Sequence, residues 1–219
     1  DWVPVEYITK DGKYEGMISD VMAQFSETIG TKIVLVPTST WQDSLDYAKN
    51  RQCDILTAAR DTPKRRVFMN FTTPYLSFPN VIATSNRQVY ITDIESVMHE
   101  TFGVVKGYAY AETLKTRYPN LKLKEYDDTL QGLRAVQEGK LFGFLDTLPK
   151  IAYLIQTNAA YDIKVSGQIG RRHSISVATR NDEPILKDIF QVAVDAFPEI
   201  ERQKVVDHWL AVRFEQGFD

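Results

Sequence analysis

Lys122–Leu145, KLKEYDDTLQGLRAVQEGKLFGFL, changes its hydrophobic period twice. Lys122–Tyr126 reads as a short strand. Leu130, Leu133 and Val136 then recur at helical spacing across Thr129–Glu138. Phe142–Leu145 is apolar and extended again. This is a strand–helix–strand unit, the building block of a parallel sheet. The same succession occurs earlier, in KIVLVPTSTWQDSLDYAKNRQCDILTA, Lys32–Ala58. There an apolar strand, Lys32–Val36, precedes a helix over Trp41–Asn50 with Trp41, Leu45 and Ala48 inward. A buried strand, Cys53–Ala58, follows. Two such units predict an α/β protein with two lobes of similar build. They do not make a solenoid, which needs more copies.

Working outward, Asp20–Ile29 places Val21, Phe25 and Ile29 on one helical face, and Gly30 ends that helix. Phe102–Val105 is a strand, and Ala109–Arg117 and Leu148–Gln156 are helices. Asp182–Ala196 forms a helix capped by Asp182 with Pro184 in its first turn. Glu199–Leu210 is a last helix that buries Ile200, Val205 and Trp209. Tyr75–Thr84 and His173–Thr179 are extended and read as crossovers. The expected division is lobe 1 at 1–78 plus 179–219, lobe 2 at 82–175, and hinges at about 76–84 and 174–179. Ligands in such folds sit at the carboxyl ends of strands, here in a cleft between the lobes.

Composition excludes several function classes. The chain has 219 residues, 43% hydrophobic and 25% charged, which is enough for a real core. Its formal net charge is -3, and no basic run exceeds Lys64-Arg65-Arg66, so no nucleic-acid partner is expected. Cys53 is the single cysteine and reads as a small buried hydrophobe. No apolar stretch approaches the ~20 residues of a membrane span. The chain opens on Asp1-Trp2, as a trimmed domain would. His99, His173 and His208 share no ligand spacing, and no HExxH, CxxC, GxSxG or GxxxxGK motif occurs. No metal and no cofactor are therefore expected. His99 and His173 read as surface residues and His208 as a helix residue. Glu6, Asp61 and Asp146 are the acid–base candidates for an enzyme, but no spacing marks a working pair.

Asp61-Thr62-Pro63-Lys64-Arg65-Arg66 is the most informative segment. Thr62 suits an N-cap and Pro63 the first helical position. Three cations in a first turn oppose the helix dipole by ~0.3–1 kcal/mol each. A bound anion would reverse that sign, and Arg65 is the candidate for a bidentate carboxylate contact. The alternative is three solvated surface charges.

The run Asp54-Ile55-Leu56-Thr57-Ala58-Ala59-Arg60-Asp61-Thr62-Pro63-Lys64-Arg65, followed by Phe71-Thr72-Thr73-Pro74-Tyr75, resembles the family 3 bacterial extracellular solute-binding proteins. Trp2-Val3-Pro4, Gly12-x-x-x-Gly16, Phe102–Gly107 and Ser174–Arg180 with Asp182 extend the resemblance along the chain. It implies a periplasmic-binding-protein-like fold: two α/β lobes joined by two crossover strands. By position, Arg65 falls where the family clamps an α-carboxylate, and Asp146 where it holds an α-ammonium. The alternative for Asp146 is an N-cap of the helix Leu148–Gln156. Trp2 and Trp41 fall where aromatics sandwich the ligand side chain, Trp41 being equally suited to the core. Ala59 is carried over as a ligand-binding position. Tyr108 and Ala109 fall where relatives place small hydroxyl residues, and Tyr108 and Tyr110 either line the cleft or cover the helix. Arg60 replaces a usual Ser or Thr. It either adds a second cation for a diacid or phosphate, or faces solvent, the preferred reading. The stretch from Asp54 to Arg65 is one residue shorter than in typical transporter binders. The family's first strand would precede Asp1.

Lys106–Tyr110 through Tyr118-Pro119, and the ending His208–Asp219, resemble the subset fused to membrane sensors such as histidine kinases and diguanylate cyclases. The resemblance implies a periplasmic sensor domain that closes on a small solute, an amino acid or related carboxylate. A membrane-anchored remainder is expected, and a homodimer is compatible with it. The alternatives are a soluble component of an ABC-type amino-acid transporter and, further off, a dehydratase-type enzyme.

Overall fold

The computed structural model describes residues 2–106, 108–157 and 160–214; the side chains of Ala109 and of 211–214 fall outside the description. The chain divides into two compact units. Unit 1 comprises 1–77 and 174–212, and unit 2 comprises 78–173.

Unit 1 is built on helix α1, Met17–Ile29. Met17, Ile18, Val21, Met22 and Phe25 are all buried, following the helical period. Phe25 meets Tyr75 and Phe197 edge-on, with ring centroids 5.4 and 5.5 Å apart. The helix starts three residues earlier than its apolar face suggested, at Met17, and its N-cap is Gly16. That residue has φ 116°, and a Cβ there would lie 2.6 Å from the Val5 carbonyl oxygen, so only glycine fits. Gly30 ends the helix in the left-handed conformation, as expected.

Helix α2, Trp41–Lys49, opens with a capping box: Asp43 N–H donates to Thr40 Oγ1, and Thr40 N–H donates back to the Asp43 carboxylate. The sheet of unit 1 has the order β3 (Ile55–Ala59), β11 (His173–Arg180), β4 (Met69–Phe71), and β5 (Leu76–Phe78) also pairs with β11. A small hairpin pairs β1 (Tyr7–Ile8) with β2 (Tyr14–Glu15).

Four expectations fail in this unit. Residues 32–38 form no strand, and Val34 is 68% exposed. Apolar residues make a strand only beside a hydrogen-bonded neighbour, and no described strand pairs with this segment. Asp182 does not cap a helix. Helix α7 spans Pro184–Asp195 with Glu183 at its N-cap, while the Asp182 carboxylate accepts from Arg180 at 2.7 and 2.9 Å. Ile200, in helix α8 (Glu199–Phe214), is 64% exposed rather than buried. Trp209 anchors that helix by donating Nε1–H to Asp20 at 2.7 Å. Cys53 is half-buried against the cluster of Ala48, Leu56, Phe68 and Met69 rather than enclosed.

Unit 2 is a five-stranded sheet, ordered β10 (Ile163–Gln168), β6 (Asn80–Ser85), β9 (Gly143–Thr147), β7 (Thr101–Val105), β8 (Lys122–Tyr126). β7 runs parallel to β8 and β9, while β6 is antiparallel to β9 and β10. Both faces are covered. Val81, Ala83, Val105 and Phe144 pack with Leu133 and Val136 of helix α5 (Thr129–Gln137) and with Ile151 and Leu154 of helix α6 (Leu148–Gln156). Their strand neighbours Ile82, Val104 and Leu145 point the other way, onto Leu114 of helix α4 (Ala109–Arg117). The carboxyl ends of the three parallel strands therefore lie along one edge. Tyr108, Thr129 and Asp146 come from that edge.

Candidate functional site

The candidate residues form two groups, one in each unit. In unit 1, Arg60 and Arg65 flank Thr62. Helix α3 is a single turn, Pro63–Arg66, with Thr62 as N-cap accepting from Arg65 N–H. One turn carries little macrodipole, so any anion affinity here rests on guanidiniums rather than on a helix end. Lys64 and Arg66 are exposed, and Arg66 is paired with Asp61 at 2.7 Å.

Arg65 is different. Its Nη1 donates to the Arg60 carbonyl oxygen at 2.8 Å, and its guanidinium lies 5.1 Å from the centroid of the Trp41 ring. No carboxylate among the described residues pairs with it. Burial, and then the charge of Arg60, push its pKa below the usual arginine value. Trp41 is half-buried and packs on the Ala48–Leu56–Phe68 cluster, so it serves the core and the guanidinium at once. Ala59 lies wholly within that cluster and can offer a ligand only its backbone. Arg60 corrects the solvent-facing expectation: its Nη1 is buried and has no hydrogen-bond partner. Trp2 is half-buried, and its backbone closes a turn on Glu6.

Unit 1 also holds a polar network that the sequence reading missed. The Glu6 carboxylate accepts from Tyr14 at 2.7 Å and from Thr57 at 2.9 Å, and Tyr75 donates to the Thr57 carbonyl at 2.7 Å. Burial raises the Glu6 pKa above the ordinary carboxylate value, against the lowering effect of those hydrogen bonds. Between the ordinary and the raised pKa, the folded state holds a proton that the unfolded state has lost. The contribution of this group to stability therefore falls as pH rises through that window. Glu6→Gln keeps the acceptor and removes the buried charge. We expect it to melt above wild type at neutral pH, with the gap shrinking toward acid. Thermal unfolding at stepped pH measures this, and a gap independent of pH would refute the assignment.

In unit 2, Asp146 is 5% exposed at the end of β9. Its Oδ2 accepts from Thr129 Oγ1 at 2.7 Å, and its Oδ1 from Thr147 N–H at 2.6 Å. The N-cap of α6 is Thr147, not Asp146. Burial raises the Asp146 pKa, opposed by these hydrogen bonds and by Lys150. Lys150 is in turn pushed down by its own burial, which outweighs the pull of Asp146. Tyr108 is 40% exposed, and its phenol is held far above its ordinary value by local burial and by the charge of Asp146. Tyr108 and Asp146 are thus neighbours. Tyr110 is not part of this group: it is 7% exposed in the core with Leu114 and donates to the Ile169 carbonyl. Its spacing of four from Leu114 was the available signal. Ala109 begins α4, and its side chain lies outside the described residues.

Two α/β units, each with polar groups gathered where strands end, define a periplasmic-binding-protein-like domain of the Venus-flytrap class. The family model for bacterial extracellular solute-binding proteins, family 3, matches residues 1–212, and the chain belongs to that family. It is 21% identical over 211 residues to the virulence sensor protein BvgS of Bordetella pertussis, covering 94% of this chain and 17% of that protein. The chain thus spans about a sixth of the length of that relative. It superposes on the BvgS periplasmic VFT2 domain with a TM-score of 0.85 at 19% identity, covering 95% of this chain and 89% of that one. A histidine kinase sensor domain similar to periplasmic binding proteins gives 0.81 at 18% identity, covering 96% and 92%. An ancestral arginine-binding protein bound to glutamine gives 0.74 at 18% identity, covering 95% and 93%. Family and relatives put the domain on the extracytoplasmic side. No described helix is long and apolar enough to cross a membrane.

Proposed function

We propose that the chain is the ligand-binding sensor domain of a membrane-anchored receptor and takes a small α-amino acid or related carboxylate without transforming it. The observation that carries this reading is Arg65: a guanidinium stacked on Trp41, partly desolvated, with no carboxylate among the described residues. Such a group is costly unless an anion completes it. The ligand carboxylate binds there, and the ligand ammonium binds Asp146, oriented by Thr129 and Thr147. Tyr108 covers the ammonium side. Each unit thus offers the counter-charge for one end of a zwitterion. The similarity to BvgS and to a kinase sensor domain supports signalling. The likeness to an arginine-binding protein supports the amino-acid ligand, and equally a soluble transporter component as second reading. Membrane fractionation of the full-length protein separates the two.

A thermal-shift screen against amino acids, dicarboxylates and polyamines tests the binding reading. A ligand at a hundred times its Kd stabilises by about 2.7 kcal/mol. Only ionised Asp146 attracts an ammonium, and its pKa is raised, so affinity for a zwitterion should drop as pH falls through that pKa. Asp146→Asn should weaken binding by about 2–5 kcal/mol and abolish the pH dependence. Titration calorimetry at stepped pH checks this, and an unchanged pH profile in the variant would exclude the ammonium contact.

A further inference from the structure

Several arginines of this chain are satisfied by carboxylates or backbone carbonyls. Arg51 reaches Asp182, Arg66 binds Asp61, and Arg180 binds Asp54 and Asp182. Arg202 donates to the carbonyls of Val194 and Phe197. The chain carries 29 acidic residues against 26 basic ones, so counter-charges are not scarce. Arg60 and Arg65 flank Thr62. They lie close enough for the charge of Arg60 to act on Arg65, and neither has a carboxylate partner among the described residues. One Arg60 nitrogen is buried with nothing to donate to. A buried unsatisfied N–H on a charged group is destabilising, and two like charges side by side add to the cost. Trp41 on the ring side and the Arg60 carbonyl at Nη1 hold Arg65 in place, so the pair cannot relax by swinging that guanidinium away. An anion with one negative group satisfies Arg65 and leaves Arg60 uncompensated. A second negative group satisfies both.

We propose that Arg60 is a second anion-reading residue, which makes the ligand of this domain a small dicarboxylic acid, acidic amino acids included. This rests on the reading of Arg65 as the carboxylate clamp. The planar guanidinium fork suits a second carboxylate, which it can bind with two parallel hydrogen bonds.

Matched ligand pairs test it: glutamate against glutamine, aspartate against asparagine, and succinate against butyrate. Each is titrated calorimetrically into wild type, Arg60→Gln, Arg60→Lys and Arg65→Gln. The expected result is that the dianionic or acidic member binds at least about tenfold tighter than its neutral-ended partner. Arg60→Gln should cut the acidic member's affinity at least about tenfold more than the partner's. Arg60→Lys should keep the charge and recover part of that preference, which guards against misfolding of the glutamine variant. Equal affinity within every pair overturns the proposal, as does a preference that survives Arg60→Gln. If amino acids bind through Arg65 without any preference for a second acid, the further inference fails and the proposed function stands. If no member of the panel binds wild type, the further inference fails and the proposed function passes to the wider screen; if Arg65→Gln leaves all affinities unchanged, both fail.

Discussion

Arg65→Ala is expected to weaken carboxylate binding by about 2–5 kcal/mol, roughly 30-fold to several-thousand-fold. The size follows from what surrounds the guanidinium rather than from its charge alone. A solvated surface arginine gains about 0–1 kcal/mol from an ion pair. Arg65 is partly desolvated, stacked on Trp41 at 5.1 Å and tethered to the Arg60 carbonyl at 2.8 Å. Its geometry is therefore set before the ligand arrives, and little side-chain entropy remains to be lost. Arg65→Lys should recover only part of the loss, because an ammonium neither forks nor stacks in the same way. Trp41→Ala should weaken binding less than Arg65→Ala, by freeing the guanidinium to other rotamers. Arg66→Ala is the control: that side chain is exposed and already bound to Asp61, so its loss should change affinity by less than threefold. Titration calorimetry with a ligand from the screen compares the four variants. Near-normal affinity in Arg65→Ala would remove the carboxylate assignment.

Much of unit 2 was legible because its signals are local. The bounds of α4, β8 and α6 match the expected residues, since Gly, Pro and Asp or Thr punctuate clear periodic runs. The strand expected at Lys32–Val36 failed for the opposite reason. Its composition is right, but strand pairing is a tertiary property that no single segment encodes. Asp182 shows the same limit for polar groups. A helix cap and an arginine compete for one carboxylate, and Arg180 wins with two hydrogen bonds. At the candidate site, position and residue type singled out Arg65 and Asp146. They could not show that Thr129 and Thr147 hold the Asp146 carboxylate, because those contacts join a strand end to a helix start. Nor could they show that Arg60 buries a nitrogen, since arginine is read as a surface residue by default.

Phe144→Ala is expected to destabilise the protein by about 3–5 kcal/mol. Phe144 is wholly buried in β9, and the space for its ring is made by two glycines. A Cβ built on Gly132 would lie 1.9 Å from the ring, and one on Gly103 would lie 2.4 Å from it. Tyr126 closes one side edge-on at 6.2 Å. Glycines have no side chain to relax into the hole, so the site collapses poorly and the cost falls at the upper end for a phenylalanine. Gly132→Ala tests the same contact from the helix side. Alanine gains about 1 kcal/mol of helix preference over glycine, yet overpacking of about 1–3 kcal/mol should outweigh it. The two changes touch one space, so Phe144→Leu combined with Gly132→Ala should destabilise less than the sum of the single variants. Urea unfolding followed by circular dichroism reads all four midpoints, and a Phe144→Ala loss below about 1 kcal/mol would contradict this packing. The consequence reaches the site. Asp146 follows two residues later on the same strand, and Thr129 begins the helix that carries Gly132. A repacked β9–α5 contact moves the carboxylate against the hydroxyl that orients it. Ligand affinity should therefore fall in Phe144→Ala even at temperatures where the protein remains folded.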